Sequence, residues 1–223
     1  MKICAIIPAF NERPRIGAVV SGVRPYVDTV VVVDDGSDDG TAEAAEAAGA
    51  ECIRHHRNQG KGAALRLGLR HVQARDFSHV LFLDGDGQHR AEDIPSLVST
   101  AERTGAGLVI GTRSFDRARM PAPRYYSNSL GSRVASWLAG QEIRDSQSGF
   151  RLIRLDCLRG VELKARKYEI EMEILIKLSR LGCAIEHAPI TTVYENGQAR
   201  SKMKVIPDTV RICLHSLWFR WAG

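Results

Sequence analysis

The chain has 223 residues and a mass of 24.6 kDa, which suits one large domain with a substantial core. Its content of 44% hydrophobic and 26% charged residues is ordinary for a globular protein and excludes wholesale disorder. The net charge of +5 is mild and suits phosphorylated substrates, an anionic membrane face or nucleic acid, so composition alone leaves the partner open.

Five cysteines are scattered along the chain without any Cys-x-x-Cys pair. This odd, dispersed set argues against a disulfide framework or a zinc site and predicts reduced thiols in a cytosolic protein. The apolar run at the N-terminus ends at Pro8, which is too early for a secretory signal. No stretch of about 18 apolar residues occurs, so we expect no segment that spans a bilayer unaided.

The first half of the chain alternates strand-like and helix-like segments. Continuous Val and Ile runs bounded by helices are typical of parallel strands covered on both faces. The pattern predicts an α/β fold with a doubly wound, mostly parallel central sheet and helices on both faces. The predicted strands are Ile3–Ile7, Thr29–Val33, Cys52–Ile53, Val80–Leu83 and Leu108–Ile110, and the predicted helices are Arg15–Val23, Thr41–Ala48, Ala63–Arg75 and Ala91–Arg103.

The second half is organised differently. Residues 114–126 are rich in Arg and Pro and predict a long connection. Helices are predicted over Ser127–Leu138 and Tyr168–Leu181, and a strand or hairpin over Cys183–Tyr194. The polar clusters of the first half all follow predicted strands, and ligands bind beyond the carboxyl ends of the strands in such sheets.

The fourth predicted strand, Val80–Leu83, continues into two aspartates separated by one glycine. The strand delivers Asp84 and Asp86 to one edge of the sheet, and the adjoining glycines let the backbone turn sharply. Paired carboxylates on a loop suit Mg²⁺ or Mn²⁺ when phosphates and water supply the remaining ligands. A plain acidic turn that caps the next helix is the alternative. An EF-hand is excluded, because His89 and Pro95 stand where it needs Gly and Glu.

Further polar clusters follow other predicted strands. Asp35 can accept hydrogen bonds from a base or a ribose hydroxyl, whereas Asp38 and Asp39 suit capping of the next helix. Lys61 lies in a glycine-rich turn that opens a helix, which suits either an anion or a plain turn. Residues 144–151 are dense in polar side chains and predict either a loop that faces the metal or a capping turn. Neither a dinucleotide fingerprint nor a P-loop is present.

Four other polar residues carry weaker expectations. Glu169, Glu171 and Glu173 alternate along the predicted helix near residue 170, and glutamates of this kind are mostly solvated. His89 follows the aspartate pair and suits helix capping or solvation more than phosphate contact. Neither feature by itself indicates a site.

Taken in order, these motifs resemble those of the family 2 glycosyltransferases with the GT-A fold, and most closely the dolichyl- or polyprenyl-phosphate mannose synthase branch. The resemblance runs from Ile6 to about Lys202. It implies a Rossmann-like GT-A fold, a nucleotide-sugar donor, a Mg²⁺ or Mn²⁺ cofactor and inversion at the transferred hexose. The motifs that carry it are Ile-Pro-Ala-Phe-Asn-Glu, Val-Asp-Asp-Gly-Ser-Asp-Asp-Gly-Thr, Asn-Gln-Gly-Lys-Gly, Leu-Asp-Gly-Asp-Gly-Gln-His, Gly-Thr-Arg at 111–113, Asp-Ser-Gln-Ser-Gly-Phe-Arg at 145–151 and the late Arg-Ser-Lys.

The residues and the resemblance together assign site residues in four groups. The residues predicted to bind the nucleotide-sugar are Pro8, Ala9, Phe10, Glu12, Asp35, Lys61, Asp84, Gly85 and Asp86. The predicted metal ligands are Asp84, Asp86 and Gln88. By resemblance, the acceptor phosphate is contacted by Arg113, Arg124, Arg200 and Lys202, the last two in a late loop that closes over the site in relatives. The predicted catalytic residues are Asp86, Arg113 and Asp145.

The acceptor decides the mechanism. A lipid phosphate such as polyprenyl or dolichyl phosphate is already anionic and attacks without a strong base. A hydroxyl on a glycan or small molecule needs a carboxylate to take its proton, for which Asp145 and Glu171 are candidates. By resemblance alone, GDP-mannose is the first expected donor and UDP-glucose the second. A nucleotidyltransferase and a nucleotide-sugar-binding module are the alternatives from other classes, whereas nucleic-acid binding lacks an aromatic-interleaved basic stripe.

We divide the chain into a catalytic domain at 1–206 and a C-terminal amphipathic helix at 207–223. The helix carries an apolar stripe with two tryptophans, flanked by arginines. Such a helix can lie on an anionic membrane, or it can dock on the core or on another subunit. The expected location is cytoplasmic, either in solution or peripheral at the cytoplasmic membrane face, and the oligomeric state is left open.

Overall fold

The structure, a computed structural model, describes residues 1–113 and 122–191, with side chains from residue 128 onward in the second stretch. The strands are β1 (Ile3–Ala9), β2 (Thr29–Asp34), β3 (Glu51–Arg54), β4 (His79–Phe82), β5 (Leu108–Arg113), β6 (Arg151–Arg154) and β7 (Ile185–Ile190). The helices are α1 (Arg13–Val23), α2 (Thr41–Ala47), α3 (Lys61–Gln73), α4 (Ile94–Thr104), α5 (Ala122–Ala139) and α6 (Ile170–Arg180).

All seven strands belong to one sheet, in the order β3-β2-β1-β4-β6-β5-β7. Strand β1 pairs in parallel with β2 and β4, β2 with β3, and β5 with β7, whereas β6 runs antiparallel to both of its neighbours. The predicted α/β, mostly parallel sheet is therefore confirmed. Strand β6 was not predicted, because it has four residues and begins with an arginine that is buried here.

Alternate residues of the strands face opposite layers of the fold, as the strand period of two requires. Ile6 of β1 belongs to a buried cluster with residues of α3 and α6, whereas Ala5 and Ile7 belong to a second cluster with residues of α1 and α4. Helices therefore cover the sheet on both faces. This explains why the central strands are apolar throughout and carry their polar residues only at the ends.

The antiparallel strand places a loop of the second half beside the loops of the first. Arg151, the first residue of β6, pairs with Phe82 of β4 and with Ile110 of β5, near the carboxyl ends of those strands. The segment that precedes β6 therefore reaches the same edge of the sheet as the loops that follow β1, β2 and β4. This edge holds the candidate site.

Element boundaries differ from the expectations mainly in the second half. Helix α5 begins at Ala122 instead of Ser127, so the last part of the predicted connection is helical. Pro123 is compatible with this start, because the first turn of a helix needs no intrahelical N–H donor. Residues 114–121 lie outside the described part of the chain, as do the late loop with Arg200 and Lys202, the predicted boundary after 206 and the predicted helix at 207–223. Among the described residues, no helix combines the length and the apolarity that crossing a bilayer requires.

Candidate active site

A cavity of about 360 Å³ lies at the carboxyl ends of β1, β2 and β4. Its position follows from the topology, since the loops after parallel strands meet at one edge of the sheet. It is lined by Pro8, Ala9, Phe10, Glu12, Asp35, Asn58, Gly60, Lys61, Ala64, Asp84, Gly85, Asp86, Lys167 and Tyr168. The structure thus brings together all nine residues predicted to bind the nucleotide-sugar.

The loops after β1 and β2 are tied to each other by hydrogen bonds. The Glu12 N–H donates to Thr41 Oγ1 at 2.9 Å. Asp39 accepts from the Arg13 N–H at 3.1 Å and from the Thr41 N–H at 3.0 Å, which are the first N–H groups of α1 and α2. The predicted structural role of Asp39 is confirmed, and one carboxylate serves two helix starts.

Asp35 holds the glycine-rich turn that precedes α3. Its side chain is almost fully buried, and its two oxygens accept from the Gln59 N–H at 3.0 Å and the Gly60 N–H at 2.7 Å. Gly60 adopts a φ of +97°, and a Cβ on it would lie 2.5 Å from the carbonyl oxygen of Arg166. The turn therefore needs glycine on both counts. Contact between Asp35 and a base or ribose remains a prediction.

Lys61 bridges two carboxylates at the wall of the cavity. Its Nζ lies 2.6 Å from Asp84 Oδ1 and 2.5 Å from Glu171 Oε1. Burial opposes the charge of Lys61, but the two carboxylates outweigh it and raise the pKa of Lys61. The pKa of Asp84 is lowered, since the charge of Lys61 outweighs the cost of burying the carboxylate. The wall thus carries a charged group from each half of the chain.

The close approach of these groups depends on a glycine of the loop before β6. A Cβ on Gly149 would lie 2.6 Å from Asp84 Oδ2 and 2.7 Å from Lys61 Nζ. Any larger residue would therefore push the two charged ends from their positions. At Gly149 the loop before β6 therefore places backbone, and no side chain, against Asp84 and Lys61.

Asp86 and Gln88 fit a divalent cation at the turn after β4. Burial and the charge of Asp84 raise the pKa of Asp86 to about 6. Asp84 and Glu171 both lie against the ammonium group of Lys61, and Asp86 lies close enough to Asp84 for the two carboxylates to repel each other, a repulsion that a cation between them would relieve. The Nε2 end of Gln88 is buried without a hydrogen-bond partner, and turning the amide would present its oxygen there.

The donor set matches a hard cation that takes part of its coordination from a substrate. Within the described ranges, no cluster of three or more His, Cys, Asp or Glu side chains that could hold a metal occurs. Two carboxylates and an amide oxygen would leave positions for phosphate oxygens and water, which is how Mg²⁺ is commonly held. The identity of the cation and its ligands remain predictions.

Arg113 and Asp145 form a bidentate ion pair beyond the cavity. Arg113 Nε donates to Asp145 Oδ2 at 2.7 Å, and Nη2 donates to Oδ1 at 2.8 Å. The Asp145 side chain is completely buried, and the charge and hydrogen bonds of Arg113 outweigh burial and lower its pKa. A carboxylate with both oxygens engaged and a low pKa is a weak base. This geometry favours an orienting role for Asp145 towards Arg113.

A fully buried arginine fixes the loop that carries Asp145. Arg151 Nε donates to the carbonyl oxygen of Ser148 at 2.8 Å, Nη2 to that of Ser146 at 2.8 Å and Nη1 to that of Glu171 at 2.6 Å. Burial lowers its pKa. Arg151 therefore ties the loop before β6 to the start of α6, a role that its sequence position alone did not reveal.

The glutamates of α6 hold the other part of this wall. Glu173 is fully buried, and its carboxylate accepts from the Lys164 N–H at 2.9 Å, the Ala165 N–H at 2.8 Å and Lys177 Nζ at 2.9 Å. Glu169 and Glu171 are also buried, so the expectation of solvated glutamates is wrong. The segment that Glu173 holds leads directly into Lys167 and Tyr168, two lining residues that the sequence analysis missed.

The outcome differs for two other residues named above, His89 and Arg124. The ring of His89 packs on Phe150 with 5.2 Å between ring centroids, and burial lowers its pKa to about 4, so a solvated role is wrong. Arg124 falls in the first turn of α5, and its side chain lies outside the described residues.

Comparison with known proteins gives a family and a fold. The family model described as glycosyl transferase family 2 matches residues 4–159. The chain is 31% identical over 238 residues to undecaprenyl-phosphate mannosyltransferase of Micrococcus luteus, covering 100% of this chain and 97% of the relative. It is 29% identical to UDP-N-acetylglucosamine–dolichyl-phosphate N-acetylglucosaminyltransferase of Methanococcus voltae, covering 86% of each.

A solved structure supports the same architecture. Glucosyl-3-phosphoglycerate synthase from Mycobacterium tuberculosis, crystallised with Mn²⁺, UDP-glucose and phosphoglyceric acid, superposes with a TM-score of 0.77. The two sequences are 23% identical, and the match covers 98% of this chain and 79% of the other. At this identity the likeness shows the GT-A type of fold alone.

Proposed function

Because this chain belongs to glycosyl transferase family 2, we propose that it transfers a hexose from a nucleotide-sugar to a polyprenyl or dolichyl phosphate, with inversion at the anomeric carbon. The observation that carries the proposal is the cavity at the ends of β1, β2 and β4, with Asp84 and Asp86 in its wall. Mannose is the first expected sugar and glucose the second. The names of the relatives support a lipid phosphate acceptor, while the sugars in those names differ.

The loops of the first half would hold the donor. Pro8 and Ala9 end β1 and line the cavity together with Asp35, which follows β2. These residues would surround the nucleoside, while the turn after β4 would face the diphosphate. A divalent cation held by Asp84, Asp86 and Gln88 would supply a Lewis acid that neutralises the charge on the departing nucleoside diphosphate.

Arg113 would meet the acceptor phosphate. Asp145 holds the guanidinium by its Nε–Nη2 edge and so fixes which edge can face a ligand. Arginine suits this task, because its rigid fork can meet two phosphate oxygens at once. A phosphate acceptor is already anionic, so the reaction would rely on position and charge instead of a strong base. The low pKa of Asp145 is consistent with this division of roles.

The first test is transfer of label from a nucleotide-sugar to lipid. Purified protein with Mn²⁺ is incubated with radiolabelled GDP-mannose or UDP-glucose, with and without polyprenyl phosphate. We expect label to enter the organic phase only when lipid is present, and to fall roughly 10²–10³-fold in Asp86→Ala. Asp76→Asn is the matched control, since the Asp76 side chain is 99% exposed and distant from the cavity.

Other outcomes would identify another reaction. Release of pyrophosphate instead of a nucleoside diphosphate would replace the proposal with nucleotidyl transfer. Label that moves to a water-soluble glycan, but never to lipid, would replace the acceptor with a hydroxyl. Tight donor binding without turnover on any acceptor would leave a binding module. Sedimentation with anionic liposomes would test the peripheral membrane contact that a lipid acceptor requires.

A further inference from the structure

Two cysteines lie side by side at the edge of the sheet opposite the cavity. Cys157 follows β6, and Cys183 lies in the turn between α6 and β7. Their Sγ atoms are 2.7 Å apart, and both residues are half-buried with free thiols. The amino ends of β4 and β5 are here, since His79 and Leu108 pair with the last residues of β6.

The backbone around the pair is shaped to admit both sulfur atoms. A Cβ on Gly107 would lie 2.1 Å from Cys183 Sγ and 2.4 Å from Cys157 Sγ, so a side chain at this position would displace both thiols. Gly107 is tied to the same region, because its N–H donates to the carbonyl oxygen of Ala184 and its carbonyl oxygen accepts from the Arg154 N–H. The two sulfurs therefore share a space that glycine leaves open.

We propose that Cys157 and Cys183 form a redox-active thiol pair that closes into a reversible disulfide when a peroxide or a small disulfide reaches it. A disulfide needs an Sγ–Sγ separation of about 2.05 Å, so the sulfurs must approach by roughly 0.7 Å. A cavity of about 430 Å³, lined by both cysteines together with Arg154 and Arg159, gives a small oxidant access to them.

The two thiols differ in their surroundings, which assigns their order of reaction. Arg154 Nη2 donates to Cys157 Sγ at 3.6 Å. Burial and the hydrogen bond to Cys157 raise the pKa of Cys183 to about 12. Cys157 Sγ attacks one oxygen of the peroxide, and its thiol proton joins the departing hydroxide, giving a sulfenic acid and one water. Cys183 Sγ then attacks that sulfur, and its thiol proton leaves with the sulfenic hydroxyl as a second water, so the two thiols lose two electrons and two protons in all. With a small disulfide as oxidant, the same two attacks form a mixed disulfide and then the Cys157–Cys183 bond, and two small thiols leave.

The disulfide would close a loop around one wall of the candidate site. The cysteines are 26 positions apart in sequence, and the chain between them contains Lys167, Tyr168 and all of α6. A cross-link at this distance restricts the unfolded chain more than the folded one. We therefore expect oxidation to stabilise the protein.

The test is oxidation of the purified, reduced full-length chain by a slight excess of hydrogen peroxide or by oxidised glutathione. Remaining thiols are alkylated, and the protein is digested for mass spectrometry. We expect a peptide pair joined through Cys157 and Cys183, two hydrogens lighter than the reduced pair and separated again by dithiothreitol. Absence of this link, or a link that joins either cysteine to a third one, would overturn the proposal.

Thermal unfolding gives a second, independent readout. The oxidised wild-type chain should melt roughly 6–10 °C above the reduced chain. Cys157→Ser and Cys183→Ser should each abolish the shift, and in Cys183→Ser a sulfenic acid should be trapped on Cys157. Cys52→Ser and Cys213→Ser are the controls and should keep both the link and the shift. Loss of the shift in either control would count against the assigned pair.

Discussion

The two sides of the cavity are built by different physical means. The loops after β1, β2 and β4 are held by backbone N–H groups that donate to aspartates, as Asp35 and Asp39 show. The opposing side, from the loop before β6 and the start of α6, is held by buried charges, above all those of Arg151 and Glu173.

This difference separates two kinds of polar residue. On the first side, short side chains at strand ends stabilise tight turns and present oxygens to the cavity. On the second side, long charged side chains cross the interior and stabilise loops that have little regular structure. Substitutions on the second side should therefore lower stability and displace the site residues together. On the first side, one substitution can change stability and another can change the site.

The largest expected effect comes from removing the buried arginine. Arg151→Met keeps the apolar stem but removes the buried donors to the carbonyl oxygens of Ser146, Ser148 and Glu171. We expect a loss of about 3–5 kcal/mol in the free energy of unfolding, measured by urea denaturation. Arg159→Met is the control, because that side chain is 84% exposed and should change little. Equal stability of the two variants would contradict the positioning role.

Separating Arg113 from Asp145 should have the next largest effect. Asp145→Asn keeps the shape but replaces one acceptor oxygen with an NH₂ group that faces the guanidinium. We expect a loss of about 2–3 kcal/mol at neutral pH, since the pair is buried on the aspartate side. The KM for the acceptor should rise about tenfold, while the pH profile of turnover keeps its shape.

The pH dependence of this loss has a defined sign. The folded-state pKa of Asp145 is lowered from 3.8, so its contribution to stability is complete above that value and decreases as the pH falls towards the folded-state pKa. Wild type and Asp145→Asn should therefore converge in stability in acid. If instead turnover of the variant loses its dependence on a titrating base, Asp145 is a general base and the orienting role is wrong.

A smaller effect should follow from adding one methyl group to the loop before β6. In Gly149→Ala the new Cβ would press on Asp84 Oδ2 and Lys61 Nζ, which are ends of side chains and must move away by a few tenths of an ångström or more. We expect about 1 kcal/mol of destabilisation, together with a roughly tenfold rise in the KM for the donor. The control is Gly22→Ala in α1, where a Cβ would make an ordinary 3.5 Å contact with Ala91. An unchanged KM would show that the contact with Asp84 does not matter.

The smallest effect is expected at the helix starts on the first side. Asp39→Ala removes the acceptor for the first N–H of both α1 and α2. Thermal unfolding should show a loss of about 1 kcal/mol, or a fall in Tm of roughly 2–4 °C. Asp38→Ala, at the exposed neighbouring position, should leave Tm unchanged. A fall of the same size in both variants would attribute the effect to net charge instead of hydrogen bonding.

The same difference explains what the sequence could and could not predict. The apolar runs of β1, β2 and β4 identify strands, and Asp35 and Asp84 follow two of them directly, so their meeting at one edge follows from topology. The nine predicted lining residues lie together for this reason.

The second side could not be predicted in this way, because the burial of a charge depends on partners that are distant in sequence. Arg151 meets the carbonyl oxygen of a residue 20 positions away, and Glu171 meets Lys61, 110 positions away, at the wall of the cavity. The glutamates near the start of α6 were expected to be solvated, because exposed glutamates are more frequent than buried ones. Strand β6 was missed because its four residues lack the length and the alternation of a typical strand.

The reversed direction of β6 has a consequence for how such an enzyme can diversify. In a purely parallel sheet, the loop after each strand faces the ligand, but here the stretch before β6 does so as well. Changes between β5 and β6, outside the core residues of α5 and the loop at 145–150, would therefore leave the strands and the loops after β1, β2 and β4 intact. In a fold of this kind, the side of the cavity formed by the loops after β1, β2 and β4 can stay the same while the opposing side changes. Chimaeras joined within β5 and β6 would exchange the opposing side alone.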